Sequence, residues 1–335
     1  MNSFRSLLPA LLLIFVVSCS TTQNQTAPSA TAYSSNPWEI VSIPEWYNPA
    51  DYDTISVVTW NLEHFVDQYD NPYIDNEREN SPDSNMAERR KLLAVAIEEL
   101  DADIVVFQEV ESAAFVEAWA EEQVEEMGYR LFTGRESNDW YMNVVVMSRL
   151  PLGMLYSYAN IFTPIEGETN DDGNPARQHF TNNRLVSVDV IVNPEYSFTL
   201  TGVHLKAGRG ERNEGWRIGQ VDLLRSHYSQ ILSTNSSANI LFTGDLNMQP
   251  GDREYNRLLG AETGVVFVDP MADEESLTHP ADNPARQLDY IIPNEQMMER
   301  LVPGSAEVAM PMDRESMRLI SDHLPVIARF VTVND

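Results

Sequence analysis

Apolar runs of strand length alternate with amphipathic segments along most of the chain. Ile55–Trp60 ("ISVVTW") and Asp103–Val110 ("DIVVFQEV") are rich in β-branched and aromatic residues, which predicts buried strands. Met86–Leu100 instead places apolar residues at helical spacing, with charged residues on the other face. This alternation predicts an α/β fold whose layers of helices pack around mixed sheets.

The same two patterns predict the remaining elements. Two further helices are predicted, over Ala113–Met127 and Glu214–Leu232. Further strands are predicted over Tyr129–Phe132, Tyr141–Met147, Arg184–Val192, Phe198–His204, Asn239–Phe242, a segment around Val265, Leu288–Ile292 and Pro325–Val331. Asn193-Pro194-Glu195 is expected to turn a hairpin between two of these strands.

One five-residue string, "NPARQ", occurs twice. It spans Asn174–Gln178 and Asn283–Gln287, and each copy precedes a predicted strand. The repeat is either a relic of two similar halves or a coincidence between two loops.

The first residues of the chain have the pattern of an export signal. Arg5 precedes the apolar run Leu7–Val17, which only Pro9 and Ala10 interrupt. At about ten residues the run suits a signal-peptide core and is too short to span a bilayer. It ends in "VVSC", which resembles a bacterial lipobox and implies cleavage before Cys19 and lipid attachment to its sulfur. The alternative is an ordinary secretory signal with an incidental cysteine.

We therefore expect a signal peptide over residues 1–18, a lipidated Cys19 with a flexible tether over residues 19–37, and one folded domain over residues 38–335. The tether is rich in Thr, Ser, Asn, Gln, Ala and Pro. No later apolar segment approaches membrane length, so we expect membrane contact through the lipid anchor only. Ser20 follows the cysteine, which in Gram-negative lipoproteins implies the outer membrane, and we expect a cell-envelope protein facing the periplasm or the exterior.

The charge of the chain limits the classes of partner that it is expected to bind. The chain has 22 Lys and Arg against 51 Asp and Glu, a net charge of -29. Such a surface is well solvated and salt-tolerant, and it argues against a broad groove for duplex DNA, which needs many basic residues. The acidity could equally be an adaptation to habitat, unrelated to substrate. Cys19 is the only cysteine, so the expected domain has no disulfide and no thiol catalyst.

Six predicted strands carry or end in the same few polar residue types. These residues are Asn61, Glu63 and His64; Gln108 and Glu109; His204 and Lys206; Asp245 and Asn247; Asp289; and Asp322 and His323. A single polar strand end is a normal exit to solvent, but sites in open α/β sheets gather at the carboxyl ends of strands. Carboxylate and amide oxygens bind hard cations such as Mg²⁺, and histidine beside a carboxylate suits general-base catalysis.

The set of motifs resembles that of a known family. "WNLEH", "FQEV", "MSRLP", "GVHLKAG", "GDLNMQP", "LDYII" and "SDHLPV" stand in the order of the endonuclease/exonuclease/phosphatase superfamily, from about Ile55 to Phe330. This resemblance implies the deoxyribonuclease I-like fold, a four-layer α/β sandwich of two mixed sheets packed together and flanked by helices. It also implies a Mg²⁺-dependent phosphoric ester hydrolase, with Mn²⁺ or Ca²⁺ as alternative cations.

The resemblance implies a role for each matched residue that binds metal or water. Asn61 and Glu109 would hold the catalytic cation, with Asp322 nearby. Asp245 and Asn247 would bind the attacking water, the phosphate or a second metal. This division agrees with the chemistry, because an anionic phosphodiester needs a cation to neutralise its oxygens before it can be attacked.

The resemblance also implies the acid–base residues. His323 would be the general base or a proton carrier on a phosphate oxygen, and Asp289 would orient it and stabilise its charged form. His204 would contact a phosphate oxygen. Asp289 could instead be a strand-edge acid bound to a backbone amide.

Residues around these motifs are candidates for other roles. Asn143 and Lys206 are candidates for substrate contact, and Arg149 is expected to be a structural ion-pair partner. Four other histidines are expected in loops or on the surface rather than in the site: His64, His179, His227 and His279.

The substrate is less well defined. The "WCDR" string of inositol phosphatases is absent, and "GDLN" with Glu254-Tyr255 is shared with bacterial sphingomyelinases, although the sequence shows no convincing aromatic membrane hairpin. The densest basic stretch suits a few phosphates or a solvated helix face, and it comprises Lys206, Arg209, Arg212, Arg217 and Arg225. We therefore expect a monomeric nuclease-type phosphodiesterase. The alternatives are a sphingomyelinase or phospholipase C-type enzyme acting on a phospholipid head group, and a non-catalytic surface binding module.

Overall fold

The computed structural model describes residues 43–70, 75, 77–136, 142–260, 264–272 and 276–333. The predicted signal peptide, Cys19 and the tether over residues 19–37 lie outside this part of the chain, as does Tyr141. The strands are β1 (Thr54–Phe65), β2 (Ile104–Val110), β3 (Leu131–Gly134), β4 (Asn143–Ser148), β5 (Leu152–Ser157), β6 (Thr163–Thr169), β7 (Pro175–Gln178), β8 (Leu185–Asn193), β9 (Tyr196–His204), β10 (Asn239–Asp245), β11 (Asp289–Pro293), β12 (Glu307–Val308) and β13 (Val326–Val331).

Helices connect and cover these strands. They are α1 (Glu77–Asn80), α2 (Met86–Leu100), α3 (Ala113–Gln123), α4 (Glu211–Thr234), α5 (Arg253–Leu259), α6 (Glu295–Met298) and α7 (Arg314–Ile320). Within the described ranges, none of the helices combines the length and the apolar character that crossing a membrane requires.

Two large mixed sheets form the centre of the domain. One has six strands in the order β12-β13-β1-β2-β4-β3, and the other has five in the order β11-β10-β9-β8-β5. Each contains one parallel pair, β1 with β2 in the first sheet and β9 with β10 in the second. A separate small sheet pairs β6 with β7.

Three apolar cores hold the layers together. One lies between the sheets and includes Val57, Val106 and Leu200. The second packs helices α2, α3 and α7 on the outside of the six-stranded sheet, and the third packs α4 and α5 on the outside of the five-stranded sheet. The order helices, sheet, sheet, helices is the predicted four-layer sandwich.

Most predicted elements are confirmed, and the helix over Met86–Leu100 has the predicted ends. The strand around Val265 is wrong, because Phe267 only makes an isolated bridge to Asn294. The two "NPARQ" copies differ in structure, since Pro175–Gln178 forms β7 itself and the second copy is a loop before β11. Strands β5 and β6 were not predicted, since much of each is exposed and neither is a continuous apolar run.

The two parallel pairs determine where the site forms. Asn61 is in register with Gln108 across β1 and β2, and Asp245 is in register with His204 across β9 and β10. The carboxyl ends of parallel strands lie at the same edge of their sheet. Each sheet therefore places two polar strand ends at one edge. The sheets pack face to face, which brings these four ends together.

Candidate active site

The amide of Asn61 links the two sheets at the centre of the site. Its Nδ2 donates to Oε1 of Glu109 at 3.2 Å and to Oδ2 of Asp245 at 3.0 Å. Its Oδ1 accepts from the backbone N–H of Glu63 at 3.0 Å. Ligation of a cation by Asn61 would require the amide to turn over, so that its oxygen replaces its nitrogen beside the carboxylates.

His204 faces the same two carboxylates from β9. Its Nε2 lies 3.6 Å from Oε1 of Glu109 and 3.6 Å from Oδ2 of Asp245. Burial, with the positive charge of Arg184 as the next cause, lowers the pKa of His204 well below its usual value. His204 is therefore neutral at physiological pH and can donate or accept one hydrogen bond at Nε2.

His323 is held from behind by Asp289. Nδ1 of His323 lies 2.7 Å from Oδ2 of Asp289, and both side chains are buried. The loop that carries His323 is tied to β1, because Ser321 donates to the backbone oxygen of Asn61 at 2.6 Å and Trp60 donates to the backbone oxygen of His323 at 2.9 Å. The open nitrogen of His323, Nε2, is thereby directed toward the carboxylates.

The carboxylates in turn control the charge on His323. Burial alone would lower the pKa of His323, but the charge and hydrogen bond of Asp289, followed by the charges of Asp245 and Asp322, raise it to about 10. Burial raises the pKa of Glu109 to about 7 and that of Asp245 to about 6. The buried carboxylates are thus destabilised in their ionised form, while the imidazole is stabilised in its charged form.

Asp322 is positioned by His279 and Arg286, neither of which was expected in the site. Nε2 of His279 lies 3.2 Å from Oδ2 of Asp322, and Nη2 of Arg286 lies 2.7 Å from Nδ1 of the same imidazole. A guanidinium can only donate, so Nδ1 of His279 accepts and Nε2 carries the proton donated to Asp322. The His279 ring also packs edge-on against the His323 ring, with centroids 4.7 Å apart.

His279 was expected in a loop outside the site, and that expectation is wrong. His64 is likewise close, with Nε2 at 3.6 Å from Oε2 of Glu109. His227 and His179 are remote from these carboxylates and contact aromatic rings instead. The residues that flank a histidine do not indicate its partner in a distant segment of the chain. The sequence alone therefore could not distinguish His64 and His279 from His179 and His227.

Several site residues adopt a backbone conformation that is rare outside glycine. The φ angles are 56° at Glu109 and 51° at Asn247, with 44° at Glu63 and 59° at His64. Asn247 is held there by its own backbone N–H, which donates to Oδ1 of Asp245 at 2.9 Å. Such left-handed residues turn the chain sharply at the strand ends and aim the side chains inward.

The two candidates for substrate contact lie at the border of the site. Asn143 is buried and donates to the backbone oxygen of Glu111, two residues beyond Glu109. Lys206 is half-buried, two residues beyond His204, and its Nζ donates to the oxygen of Ala207 at 2.9 Å. Their contact with substrate stays a prediction.

The basic stretch is smaller than the sequence indicated. Arg217 is buried and pairs with Glu254 at 2.6 Å, and Arg225 is buried among backbone oxygens that include that of Val265. Neither side chain is available to bind a phosphate, and neither lies on a solvated helix face. Arg149 is the ion-pair partner that was predicted, 2.7 Å from Asp101.

The donor set fits a divalent cation. Asp245, Asp289 and His323 can bring three ligand atoms within 4.8 Å of one another, and so can His279, Asp322 and His323. Burial raises the pKa values of Glu109 and Asp245, so a cation beside them would stabilise their ionised forms. Hard oxygen donors near one another are the usual environment for Mg²⁺ or Ca²⁺, and Glu109, Asp245 and Asp322 supply them.

Comparisons with known proteins agree with this arrangement. The family model described as "Endonuclease/Exonuclease/phosphatase family" matches residues 58–323. No curated protein matches the chain.

Solved structures share the fold at low sequence identity. The human Nocturnin catalytic domain with bound sulfate anion has a TM-score of 0.57 and 19% identity, covering 85% of this chain and 95% of that chain. D. rerio TDP2 complexed with single strand DNA product has a TM-score of 0.55 and 16% identity, covering 83% and 99%. An AP endonuclease from Archaeoglobus fulgidus has a TM-score of 0.54 and 14% identity, covering 83% and 100%.

Proposed function

The chain belongs to the endonuclease/exonuclease/phosphatase family, and on that basis we propose that it is a divalent-cation-dependent phosphodiesterase of the nuclease type. The observation that carries the proposal is the opposition of His323, backed by Asp289, to the carboxylates of Asp245 and Asp322. Nε2 of His323 lies 3.9 Å from a carboxylate oxygen of each. A water beside these three groups could accept from Nε2 of His323 and donate to both carboxylates.

Each side chain has its own role in binding the phosphate or moving a proton. His323 in its charged form donates from Nε2 to a phosphoryl oxygen, and Asp289 stabilises that charge through Nδ1. His204 is neutral and contacts a second oxygen through Nε2. Asp245 and Asn247 orient the attacking water, since carboxylate and amide oxygens accept its protons.

Glu109 and Asp322, with Asn61 beside them, would hold a divalent cation, which would supply positive charge to neutralise the phosphate and offset the carboxylates around His323. His279 and Arg286 fix the orientation of the Asp322 carboxylate. With that negative charge offset, the pKa of His323 would fall from its raised value, and the imidazole could also accept a proton from the attacking water.

The experiment that tests the proposal is hydrolysis of bis-p-nitrophenyl phosphate with Mg²⁺, with Mn²⁺ and with EDTA. We expect turnover with either cation and none with EDTA. His323→Ala should lower kcat by about a hundredfold or more at unchanged melting temperature, the usual contribution of a positioned acid–base group. Activity that resists EDTA, or full activity of His323→Ala, would refute the proposal, and a chain inactive toward single-stranded DNA, RNA and sphingomyelin as well would be a binding module.

We also propose that the protein is exported and anchored in the cell envelope through a lipid on Cys19. Support comes from the apolar run Leu7–Val17, the "VVSC" string and the polar segment that follows. Metabolic labelling with a palmitate analogue should mark the wild-type protein and leave Cys19→Ala unlabelled. Labelling of the variant, or an unlabelled wild type, would contradict the anchor.

A further inference from the structure

Three aromatic rings form a cluster on the surface at the base of the β6–β7 hairpin. The ring centroids of Phe162 and His179 are 4.4 Å apart, and those of His179 and Phe180 are 4.6 Å apart. The rings are tilted by 42° and 31°, so His179 lies between the two phenyl rings. We call Phe162, His179 and Phe180 the aromatic cluster.

The outer faces of this cluster are accessible. Phe162 is 57% exposed and Phe180 is 67% exposed, although His179 covers one side of each ring. Large apolar side chains that stay this exposed on a well-packed domain often mark a binding surface. Aromatic faces bind flat partners such as nucleobases without regard to sequence, because every base has a π-face.

The chain beneath the cluster is held by a buried hydrogen-bond network. Nε2 of Gln178 donates to Oγ1 of Thr163 at 2.6 Å and to Oδ1 of Asn182 at 2.8 Å. Nδ2 of Asn182 donates to the backbone oxygen of Ile161 at 2.7 Å. These bonds fix the residues on both sides of Phe162 and Phe180, so little backbone freedom is lost when a partner binds.

The same network reaches the end of β9 beside the active site. Nε1 of Trp216 donates to Oγ1 of Thr181 at 3.0 Å, and Nε2 of Gln220 donates to the same oxygen at 3.2 Å. Oε1 of Gln220 accepts from the backbone N–H of Lys206 at 3.1 Å. Gln220 therefore links Thr181, the residue after Phe180, to Lys206, which lies two residues beyond His204.

Two cations lie against Trp216, whose indole donates to Thr181 beside the cluster. Nζ of Lys206 and the guanidinium of Arg212 are each 5.6 Å from the centre of the Trp216 ring. On a chain with a net charge of -29, these two cations flank a ring that is bonded to Thr181, the residue after Phe180. Alternating positive charges and aromatic faces match the alternating phosphates and bases of a nucleic-acid strand.

We propose that the aromatic cluster stacks on the bases of a single-stranded nucleic acid whose phosphodiester lies in the active site. The inference rests on the proposed phosphodiesterase function and names its substrate class. The hairpin beyond the cluster carries the exposed acids Asp171 and Asp172, which would repel the second strand of a duplex. They also oppose insertion of the hairpin into a bilayer, where charged groups are costly.

The test compares a fluorescein-labelled single-stranded DNA oligonucleotide with an abasic strand of the same length. Binding is measured by fluorescence anisotropy in EDTA, so that no strand is cleaved. We expect the wild type to bind the base-bearing strand more tightly. Phe162→Ala and Phe180→Ala should each raise the Kd for that strand by about fivefold or more and leave the Kd for the abasic strand unchanged.

Two control variants sharpen the comparison. Phe180→Tyr keeps an aromatic face and should bind like the wild type. Val95→Ala removes an exposed apolar side chain from α2, on the other sheet, and should change neither Kd. Melting temperatures and turnover of bis-p-nitrophenyl phosphate should match the wild type in all four variants, since none of these residues is in the site.

Equal loss of affinity for both strands, or no loss for either, would overturn the inference. Loss of binding to phosphatidylcholine vesicles, with oligonucleotide binding intact, would also overturn it and assign the cluster to a membrane. Failure of the proposed function is separate, since it would appear as a wild type that does not hydrolyse bis-p-nitrophenyl phosphate.

Discussion

Asp289 and His323 form a 2.7 Å contact between the two sheets, since Asp289 begins β11 of one sheet and His323 precedes β13 of the other. Asp289 is fully buried, and Oδ1 of its carboxylate has no hydrogen-bond partner among the described residues. The carboxylate therefore acts mainly on the imidazole. One contact thus couples the packing of the sheets to the charge of the candidate acid–base residue.

Asp289→Asn tests this coupling. The amide keeps the shape of the carboxylate but loses its charge, so the pKa of His323 should fall from about 10 toward its ordinary value. We expect kcat toward bis-p-nitrophenyl phosphate to fall by about a hundredfold. NMR titration of the histidine in EDTA measures the pKa directly. Asp269→Asn, at a buried carboxylate bonded to Tyr255, is the matched control and should leave the His323 pKa unchanged.

His279→Phe tests the residue that positions Asp322. Phenylalanine keeps a ring against His323 but removes the 3.2 Å contact with Asp322. Because a hydrogen bond to a charged group contributes about 1.5–3 kcal/mol, the Mg²⁺ concentration for half-maximal activity should rise about tenfold. His227→Phe, remote from the site, should leave it unchanged. An unaltered Mg²⁺ dependence in His279→Phe would show that Asp322 needs no such support.

Gly219→Ala tests the close packing of α4 against the β6–β7 hairpin. A Cβ at Gly219 would lie 2.0 Å from the backbone oxygen of Pro164, which cannot move aside as a flexible side chain could. The clash should cost about 1–3 kcal/mol, which exceeds the helix propensity gained with alanine, about 1 kcal/mol. The melting temperature should therefore fall. Ser226→Ala, at an exposed position of the same helix, should leave it unchanged or raise it slightly.

His227 makes part of the stability depend on pH. Burial lowers its pKa in the folded state, so between the folded value and the unfolded value near 6.5 the unfolded chain binds more protons. The contribution of His227 to the free energy of unfolding is therefore fully present above pH 6.5 and is lost as the pH falls below that value. His227→Gln should lose less free energy of unfolding than the wild type between pH 7.5 and pH 5.5. An identical pH dependence in urea denaturation would contradict this role.

The sequence predicted which residues converge at the candidate site better than it predicted the edges of the fold. Asn61, Glu109, His204, Asp245, Asp289 and His323 all converge as expected, because each follows or occupies a strongly apolar strand whose register is determined by the core. Strands β5 and β6 were missed because much of each is exposed and their patterns are weak.

Contacts between distant segments of the chain could not be predicted from the pattern of hydrophobic and polar residues. Arg286 and His279 support Asp322 from 36 and 43 positions away in the chain, and nothing local in "LTHPADNPARQ" indicates that contact. Arg217 and Arg225 seemed available on a helix, yet helix α4 is buried on more faces than its charges suggest, and both form part of its packing. Burial of a charged residue depends on a partner elsewhere in the chain, such as Glu254 for Arg217.

The left-handed backbone at Glu109 and Asn247 bears on any effort to engineer this protein. A non-glycine residue in that region costs about 1–2 kcal/mol, so glycine at either position would relieve strain while deleting a functional side chain. Selection for heat resistance alone would favour such replacements and would enrich inert proteins. A library screened for thermal tolerance should therefore be sorted for turnover in the same round.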